Sequence, residues 1–212
     1  MKHWFVIFPP GAGGNHLANL LSLEHSFTTR FDNSVYTTQI DSKNKSVHPD
    51  IESGTNLDHT YISKNLEQLV NQNTVMCGHL NEYVLFTEQP YFKQFNNKLF
   101  FLMKFPEYHT RAFARIEQHN EGKIPKWLYS EVSMMYRNFE ILKMLAKESF
   151  GQPCVYIETE MLYNENIAPL FLSIKNSLNQ FELDLDFDID MNLVQQTHQL
   201  WLQRNYPKGF EQ

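Results

Sequence analysis

The sequence contains only two cysteines in 212 residues, which excludes a framework of disulfide bonds as the basis of its stability. Cys77 and Cys154 each lie in an apolar run that predicts a strand, so we expect reduced core residues, as is usual in the cytoplasm. The chain has no run of about 18 apolar residues that could span a membrane, and its first residues lack the cleavage site of a signal peptide. We therefore predict a soluble cytoplasmic protein with no membrane partner.

The sequence also has fewer basic than acidic residues. The chain has 18 Lys and Arg against 24 Asp and Glu, a formal net charge of −6, which disfavours nucleic acid as a partner. Its nine histidines are scattered, and none forms the H-x-x-x-H or H-E-x-x-H pair of a helical metal site. We therefore expect no metal, and any anion-binding site must be assembled locally.

The sequence does have a glycine-rich segment near its start. An apolar run leads into Gly11, Gly13 and Gly14, and an apolar helix is predicted to follow. Such a loop lets successive backbone N–H groups converge on an anion at a helix N-terminus. The loop lacks both the Lys-Ser/Thr pair of a Walker loop and the G-x-G-x-x-G spacing, so it does not predict an ordinary ATPase. Alternatively, the glycines only let the helix and the sheet pack closely.

Strands and helices alternate along the rest of the chain. Apolar runs predict strands at the start of the chain and at residues 74–77, 98–103 and 154–157, with a further short strand at 34–40. Apolar periodicity predicts helices at 15–23, 62–70, 106–119, 126–150, 166–179 and 191–205. This alternation predicts a single α/β domain over residues 1–212, in three layers, with a central mostly parallel sheet and helices on both faces. The polar residues 24–60 predict a loop insertion, which either lines an acceptor site or is surface elaboration.

The glycine-rich segment has a further resemblance, which rests on the order of residues 10–17. It is similar to the P-x-x-G-T-T-x-L loop with which sulfotransferases hold the 5′-phosphosulfate of their donor, 3′-phosphoadenosine-5′-phosphosulfate. Pro10, Gly13 and Leu17 match that pattern position for position.

Three later segments resemble the same family in the expected order. His79 follows a predicted buried strand in a Gly-His-Leu context, like the histidine that takes the acceptor's proton. Residues 100–113 look like the R-x-P-x-x-x-x-x-S segment that binds the donor's 3′-phosphate, with Lys104 standing for the arginine and Ala112 for the serine. Residues 154–164 resemble the strand and Y-E-D-L segment that precede a late helix in this family.

The resemblance implies a divergent member of the sulfotransferase-like family of the P-loop superfamily. Its implied activity is transfer of a sulfuryl group from 3′-phosphoadenosine-5′-phosphosulfate to an acceptor hydroxyl or amine, with His79 as the catalytic base. It also implies which residues hold the nucleotide donor: Pro10, Gly11, Ala12, Gly13, Gly14, Asn15 and His16 at the 5′-phosphosulfate, and Lys104, Thr110 and Arg111 at the 3′-phosphate.

Two departures from the family pattern keep other functions open. Gly11 stands where many sulfotransferases have a lysine that stabilises charge on the transferring group, and Ala112 replaces the expected serine. One alternative is a non-catalytic nucleotide- or anion-binding protein on the same fold. A nucleotide-dependent phosphotransferase is a less favoured alternative. The sequence indicates neither the acceptor nor the oligomeric state.

Overall fold

A computed structural model of the chain describes residues 1–8, 12–24, 59–79, 89–104, 153–181 and 187–205. The strands in these residues are β1 (His3–Phe8), β2 (Thr74–His79), β3 (Lys98–Lys104) and β4 (Cys154–Glu158). The helices are α1 (Gly14–Leu21), α2 (His59–Val70), α3 (Ala168–Gln180) and α4 (Met191–Asn205). Short 3-10 helices lie at Pro90–Gln94 and Thr159–Tyr163.

The four described strands form one parallel sheet in the order β2-β1-β3-β4. Every residue of the central strand β1 is buried, as expected for a parallel strand covered on both faces. From β1 the chain passes to β2 on one side and then returns to place β3 on the other side. The direction of strand addition therefore reverses between β1 and β3. This sheet confirms the predicted α/β class.

One face of the sheet is covered by aromatic rings and α2. Phe5 of β1 stacks on Phe100 of β3 at 5.2 Å between ring centroids, and Phe92 of the first 3-10 helix packs against both rings. The imidazole Nε2 of His3 lies 3.2 Å from the backbone oxygen of Leu69, near the end of α2. Apolar burial and this polar contact together hold α2 to the amino end of β1.

The opposite face carries α1 and α3. Trp4 packs against Phe101 of β3 and stacks on Phe187, which in turn stacks on Phe171 of α3. The backbone of Gly14 at the start of α1 lies directly against the ring of Phe8. Helices therefore lie on both faces of the sheet, as the alternation of apolar segments predicts.

The predicted element boundaries differ from the observed ones by a few residues. Strand β2 continues two residues past Cys77, and α1 ends at Leu21. Helix α2 starts before residue 62 and contains a non-helical residue, Asn65, with φ −115° and ψ 15°. The bounds predicted for the last helix, 191–205, are those observed for α4.

Other predicted segments fall beyond the described ranges. The strand at 34–40 and the helices at 106–119 and 126–150 lie outside the described residues, as does nearly all of the insertion at 24–60. In the part of the chain that is described, no helix is both long enough and apolar enough to cross a membrane.

Candidate functional site

The candidate site lies where the four parallel strands end. Because the strands are parallel, the carboxyl ends of β1, β2, β3 and β4 all meet at one edge of the sheet, which we call the carboxyl edge. The glycine-rich segment leaves this edge from β1. In open α/β sheets ligands bind outside the carboxyl ends of the strands, at the point where the strand order reverses. That point here lies between β1 and β3.

Gly13 ends the glycine-rich segment and starts α1 in a conformation that favours glycine. Its φ of 80° and ψ of 21° are left-handed, and its backbone oxygen accepts the first helical hydrogen bond, from the amide of Leu17 at 3.0 Å. A Cβ atom at this position would lie 2.8 Å from Cδ2 of Leu162 and 3.5 Å from the ring of Trp201. The backbone angle therefore favours glycine here, and a side chain would also displace the methyl group of Leu162.

Gly14 is required by packing alone. A Cβ atom on this residue would lie 1.9 Å from the ring of Phe8, so any side chain would push α1 away from β1. The alternative in which the glycines serve close packing of helix and sheet thus accounts for Gly14, whereas the neighbours of Gly13 lie on the second 3-10 helix and on α4. Ala12 beside them is completely buried, whereas Pro10 and Gly11 lie outside the described residues.

The start of α1 also contacts β2. The thiol of Cys77 donates to the side-chain oxygen of Asn15 at 3.3 Å. His79, two residues further along β2, pairs in register with Phe8 of β1. The backbone of the predicted base therefore stands at the carboxyl edge beside the strand that leads into the glycine-rich segment, while its side chain lies outside the described residues.

His16 is engaged with α4. Its ring is 5% exposed and stacks on the indole of Trp201 at 4.1 Å and 3°, and its Nε2 lies 3.0 Å from Nδ1 of His198. The other ring nitrogen of His198 lies 2.7 Å from the backbone oxygen of Asn164. Burial lowers the pKa of His198, and this carbonyl contact offsets part of the shift. Contact between His16 and an anion stays a prediction.

His198 and Trp201 were not identified from the sequence as neighbours of the candidate site. Their spacing of three residues does place them on the same face of a helix, which is the only local signal. Nothing in the sequence connects that face with His16, which is 182 residues away from His198 along the chain.

Lys104 ends β3 with its side chain half exposed. Its Nζ lies 3.4 Å from Oε1 of Glu158, the residue opposite it on β4, and the hydroxyl of Thr159 donates to its backbone oxygen. Water screens an ion pair this exposed, so it contributes little to stability and the ammonium can exchange partners. Thr110 and Arg111, the other residues predicted at the 3′-phosphate, lie outside the described residues.

Comparison of the chain with protein-family models, with curated proteins and with solved structures found no match. Within the described ranges, no group of three or more His, Cys, Asp or Glu side chains is arranged to hold a metal ion. The assignment of a function therefore depends on the carboxyl edge itself.

Proposed function

We propose that the protein binds 3′-phosphoadenosine-5′-phosphosulfate at the carboxyl edge and transfers its sulfuryl group to an acceptor hydroxyl or amine. The observation that carries this proposal is the strand order. The glycine-rich segment after β1 and Lys104 at the end of β3 flank the point where the order reverses, and that is where parallel α/β sheets bind their ligands.

The start of α1 favours the 5′ end of the donor. Gly13, the N-cap residue, offers no side-chain oxygen, and the first turn of α1 contains no acidic residue. The backbone N–H groups of such a turn carry partial positive charge and attract an anion. A phosphosulfate bound there would take the place that an Asp or Ser side chain takes at most helix starts.

Lys104 favours the 3′-phosphate. Its ammonium is half exposed and its only described ion-pair partner is the single charge of Glu158, at 3.4 Å. A phosphate dianion carries about twice that charge and more acceptor oxygens, so it competes for the ammonium. Lysine binds phosphate as a point charge rather than through a planar fork, which makes this contact weaker than that of the arginine it replaces in the family pattern.

The proposed transfer needs one base and no metal. The acceptor oxygen or nitrogen attacks the sulfur atom, the bond between sulfur and the bridging oxygen of the 5′-phosphate breaks, and 3′-phosphoadenosine-5′-phosphate leaves. The acceptor proton passes to the imidazole of His79, which the family resemblance assigns as the base. The position of His79 at the end of β2, in register with Phe8, supports this role.

A second candidate function is donor binding without transfer. The Glu158 carboxylate beside Lys104 reduces the positive charge at the carboxyl edge, and Gly11 replaces the lysine that assists transfer in the family pattern. A nucleotide-dependent phosphotransferase is less favoured, because the Gly-Lys-Ser/Thr sequence that binds magnesium nucleotides is missing.

Calorimetric titration with 3′-phosphoadenosine-5′-phosphate, and separately with ATP and magnesium, tests the proposal. We expect the bisphosphate to bind and the Lys104→Ala variant to bind it about tenfold more weakly, the cost of one lost charge-assisted contact. Lys175→Ala, which removes an exposed lysine on α3, serves as the matched control and should bind like the wild type.

The outcomes separate the candidate functions. Absence of bisphosphate binding contradicts the proposal, and magnesium-dependent ATP binding favours a phosphotransferase. When the bisphosphate binds, incubation with the sulfated donor and a panel of alcohols and amines follows. Release of the bisphosphate that depends on both the acceptor and His79 supports transfer, and its absence across the panel favours the binding protein.

A further inference from the structure

The carboxyl edge contains a buried pair of histidines whose contact with each other joins two helices. His16 of α1 and His198 of α4 are 5% and 0% exposed, and their nearest ring nitrogens are 3.0 Å apart. The indole of Trp201 stacks on His16 at 4.1 Å, and the ring of Tyr163 packs on that indole at 5.7 Å. The cluster joins the last helix to the helix that follows the glycine-rich segment.

The hydrogen bonds determine which nitrogens carry protons. The backbone oxygen of Asn164 only accepts, so Nε2 of His198, 2.7 Å away, must carry its proton and donate. In the neutral ring Nδ1 of His198 is then an acceptor. His16 must therefore donate to it from Nε2. The resulting chain of bonds runs from His16 through His198 to Asn164. It forms when both rings are neutral, and it also tolerates one added proton, because the facing nitrogens can still share a single hydrogen.

A second added proton breaks this chain. With both rings charged, each of the facing nitrogens carries a hydrogen, and two N–H groups point at each other across 3.0 Å. Two positive charges would also be buried side by side, which costs far more than one. The backbone oxygen of Asn164, the other described partner of His198, already accepts from Nε2 of that ring. It therefore cannot accept the additional hydrogen on Nδ1.

Among the residues that the structure describes, the other titratable groups in contact with this cluster are of types that carry no charge near neutral pH. From the 3-10 turn the phenol of Tyr163 faces Trp201, and from β2 the thiol of Cys77 contacts Asn15, the neighbour of His16. Both types of group are ordinarily uncharged below pH 7. From α4 the titratable group in contact with His16 is His198 itself.

The two halves of α4 are held differently. The first half is held by the buried side chain of Val194 and by Gln195, which accepts from the amide of Ile167 and donates to the backbone oxygen of Glu165. None of these contacts titrates. The second half is held by the histidine pair and by Trp201, together with the apolar side chain of Leu202.

We propose that the His16–His198 pair is an acid-sensitive joint, which holds the second half of α4 on α1 at neutral pH and releases it when both rings are protonated. Release would also withdraw the Trp201 ring from its stack on His16 at the start of α1. This inference is independent of the proposed function, because it requires no ligand.

Hydrogen exchange of the intact protein, followed by mass spectrometry at pH 7.5 and pH 5.5, tests the joint. After correction for the intrinsic pH dependence of exchange, we expect protection of residues 198–205 to fall by about tenfold or more, since opening is linked to proton uptake. Residues 191–196 and α3 should keep their protection. Unchanged protection at 198–205, or an equal loss along the whole chain, would overturn the proposal.

Two variants separate the joint from general acid effects. His198→Gln keeps an amide that can donate to Asn164 and an oxygen that can accept from His16, but it cannot titrate, so the selective loss should vanish. His3→Gln removes another buried histidine, at the opposite edge of the sheet, and should retain the selective loss. Persistence of the loss in His198→Gln contradicts the proposal.

A measurement on the wild-type protein covers the case in which a variant does not fold. Nitrogen-15 chemical shifts of the two histidine rings report their protonation directly. The proposal requires that release of residues 198–205 coincide with the second protonation of the pair. Release while both rings remain neutral would overturn it.

Discussion

Two lysine–glutamate ion pairs of nearly equal length lie at opposite edges of the sheet. Lys2, just before β1, has its Nζ 3.3 Å from Oε1 of Glu24, and Lys104, at the end of β3, has its Nζ 3.4 Å from Oε1 of Glu158. The Glu24 side chain is 2% exposed, whereas that of Glu158 is 62% exposed. A buried carboxylate depends on its partner, while an exposed one is stabilised by water. The Lys2–Glu24 ion pair therefore stabilises the fold at one edge, whereas the Lys104–Glu158 pair leaves its charges accessible to solvent at the other.

Further hydrogen bonds around the Lys2–Glu24 pair agree with a structural role for the amino edge. At the amino edge the amide of Lys2 donates to the side chain of Asn73 at 2.7 Å, and the amide of Thr74 donates to the backbone oxygen of Lys2 at 2.9 Å. The His3 ring reaches the backbone oxygen of Asn96 at 2.6 Å. These bonds link the ends of separate loops to β1. We infer that the amino edge stabilises the sheet and that the carboxyl edge binds ligand.

The largest effect on the free energy of unfolding is expected where α1 packs closely on β1 at the carboxyl edge. Gly14→Ala places a methyl group within 1.9 Å of the Phe8 ring, and we expect it to lower the free energy of unfolding by about 3 kcal/mol, at the upper end of overpacking costs. Urea denaturation measures this loss. Combining Gly14→Ala with Phe8→Leu should cost less than the sum of the two single changes. A sum that is fully additive would show that the Phe8 contact is not the cause.

Glu24→Gln should have the next largest effect. The substitution removes the buried negative charge that lies 3.3 Å from the Lys2 ammonium. We expect a loss of about 2 kcal/mol in the free energy of unfolding, less than for a pair in which both side chains are fully buried. Affinity for 3′-phosphoadenosine-5′-phosphate should be unchanged. Weaker ligand binding by the folded variant would contradict the structural role assigned to the amino edge.

Acid should destabilise both edges through buried histidines. Burial lowers the pKa of His3 and of His198, and carbonyl contacts offset part of each shift. Because the unfolded chain binds these protons more readily, stability is complete above the ordinary histidine pKa of about 6.5 and falls as the pH drops below it. Urea titrations from pH 8 to pH 5 measure this. A free energy of unfolding that rises on acidification would refute the expected sign.

Glu158→Gln should have the smallest effect on stability, but it should strengthen ligand binding. Because the pair with Lys104 is exposed, we expect the free energy of unfolding to change by less than about 0.5 kcal/mol. Affinity for the bisphosphate should rise by about threefold, since a competing carboxylate is removed from the lysine. Calorimetry on this variant and on Glu24→Gln compares the two edges directly. Equal affinities for the two variants would contradict the comparison.

The sheet could be predicted from the sequence because its signal is local. Runs such as His3–Phe8 and Lys98–Lys104 consist mainly of consecutive apolar residues, which is typical of parallel strands buried on both faces. The end of β2 was predicted too early, because Gly78 and His79 interrupt the apolar run although their backbones continue the ladder. Pairing of the backbone with β1, rather than the hydropathy of the side chains, determines that boundary.

The candidate site was less predictable because its contacts are long-range. Gly14 packs on Phe8, and His16 pairs with a residue 182 positions away, so composition and spacing cannot show that these residues serve packing. The identity of the residue opposite Lys104 likewise depends on the register between β3 and β4. Periodicity identifies elements, while the partners of polar side chains follow only from how the elements are arranged.

Titration of the nitrogen-15-labelled protein with 3′-phosphoadenosine-5′-phosphate, followed by amide chemical shifts, tests the central claim most directly. We expect shifts to change at residues 12–16 and at Lys104, on the carboxyl edge, while Lys2, Thr74 and Asn97 at the amino edge stay unchanged. Changes confined to the amino edge, or no saturable change at either edge, would contradict the assignment of the carboxyl edge as a nucleotide-binding site.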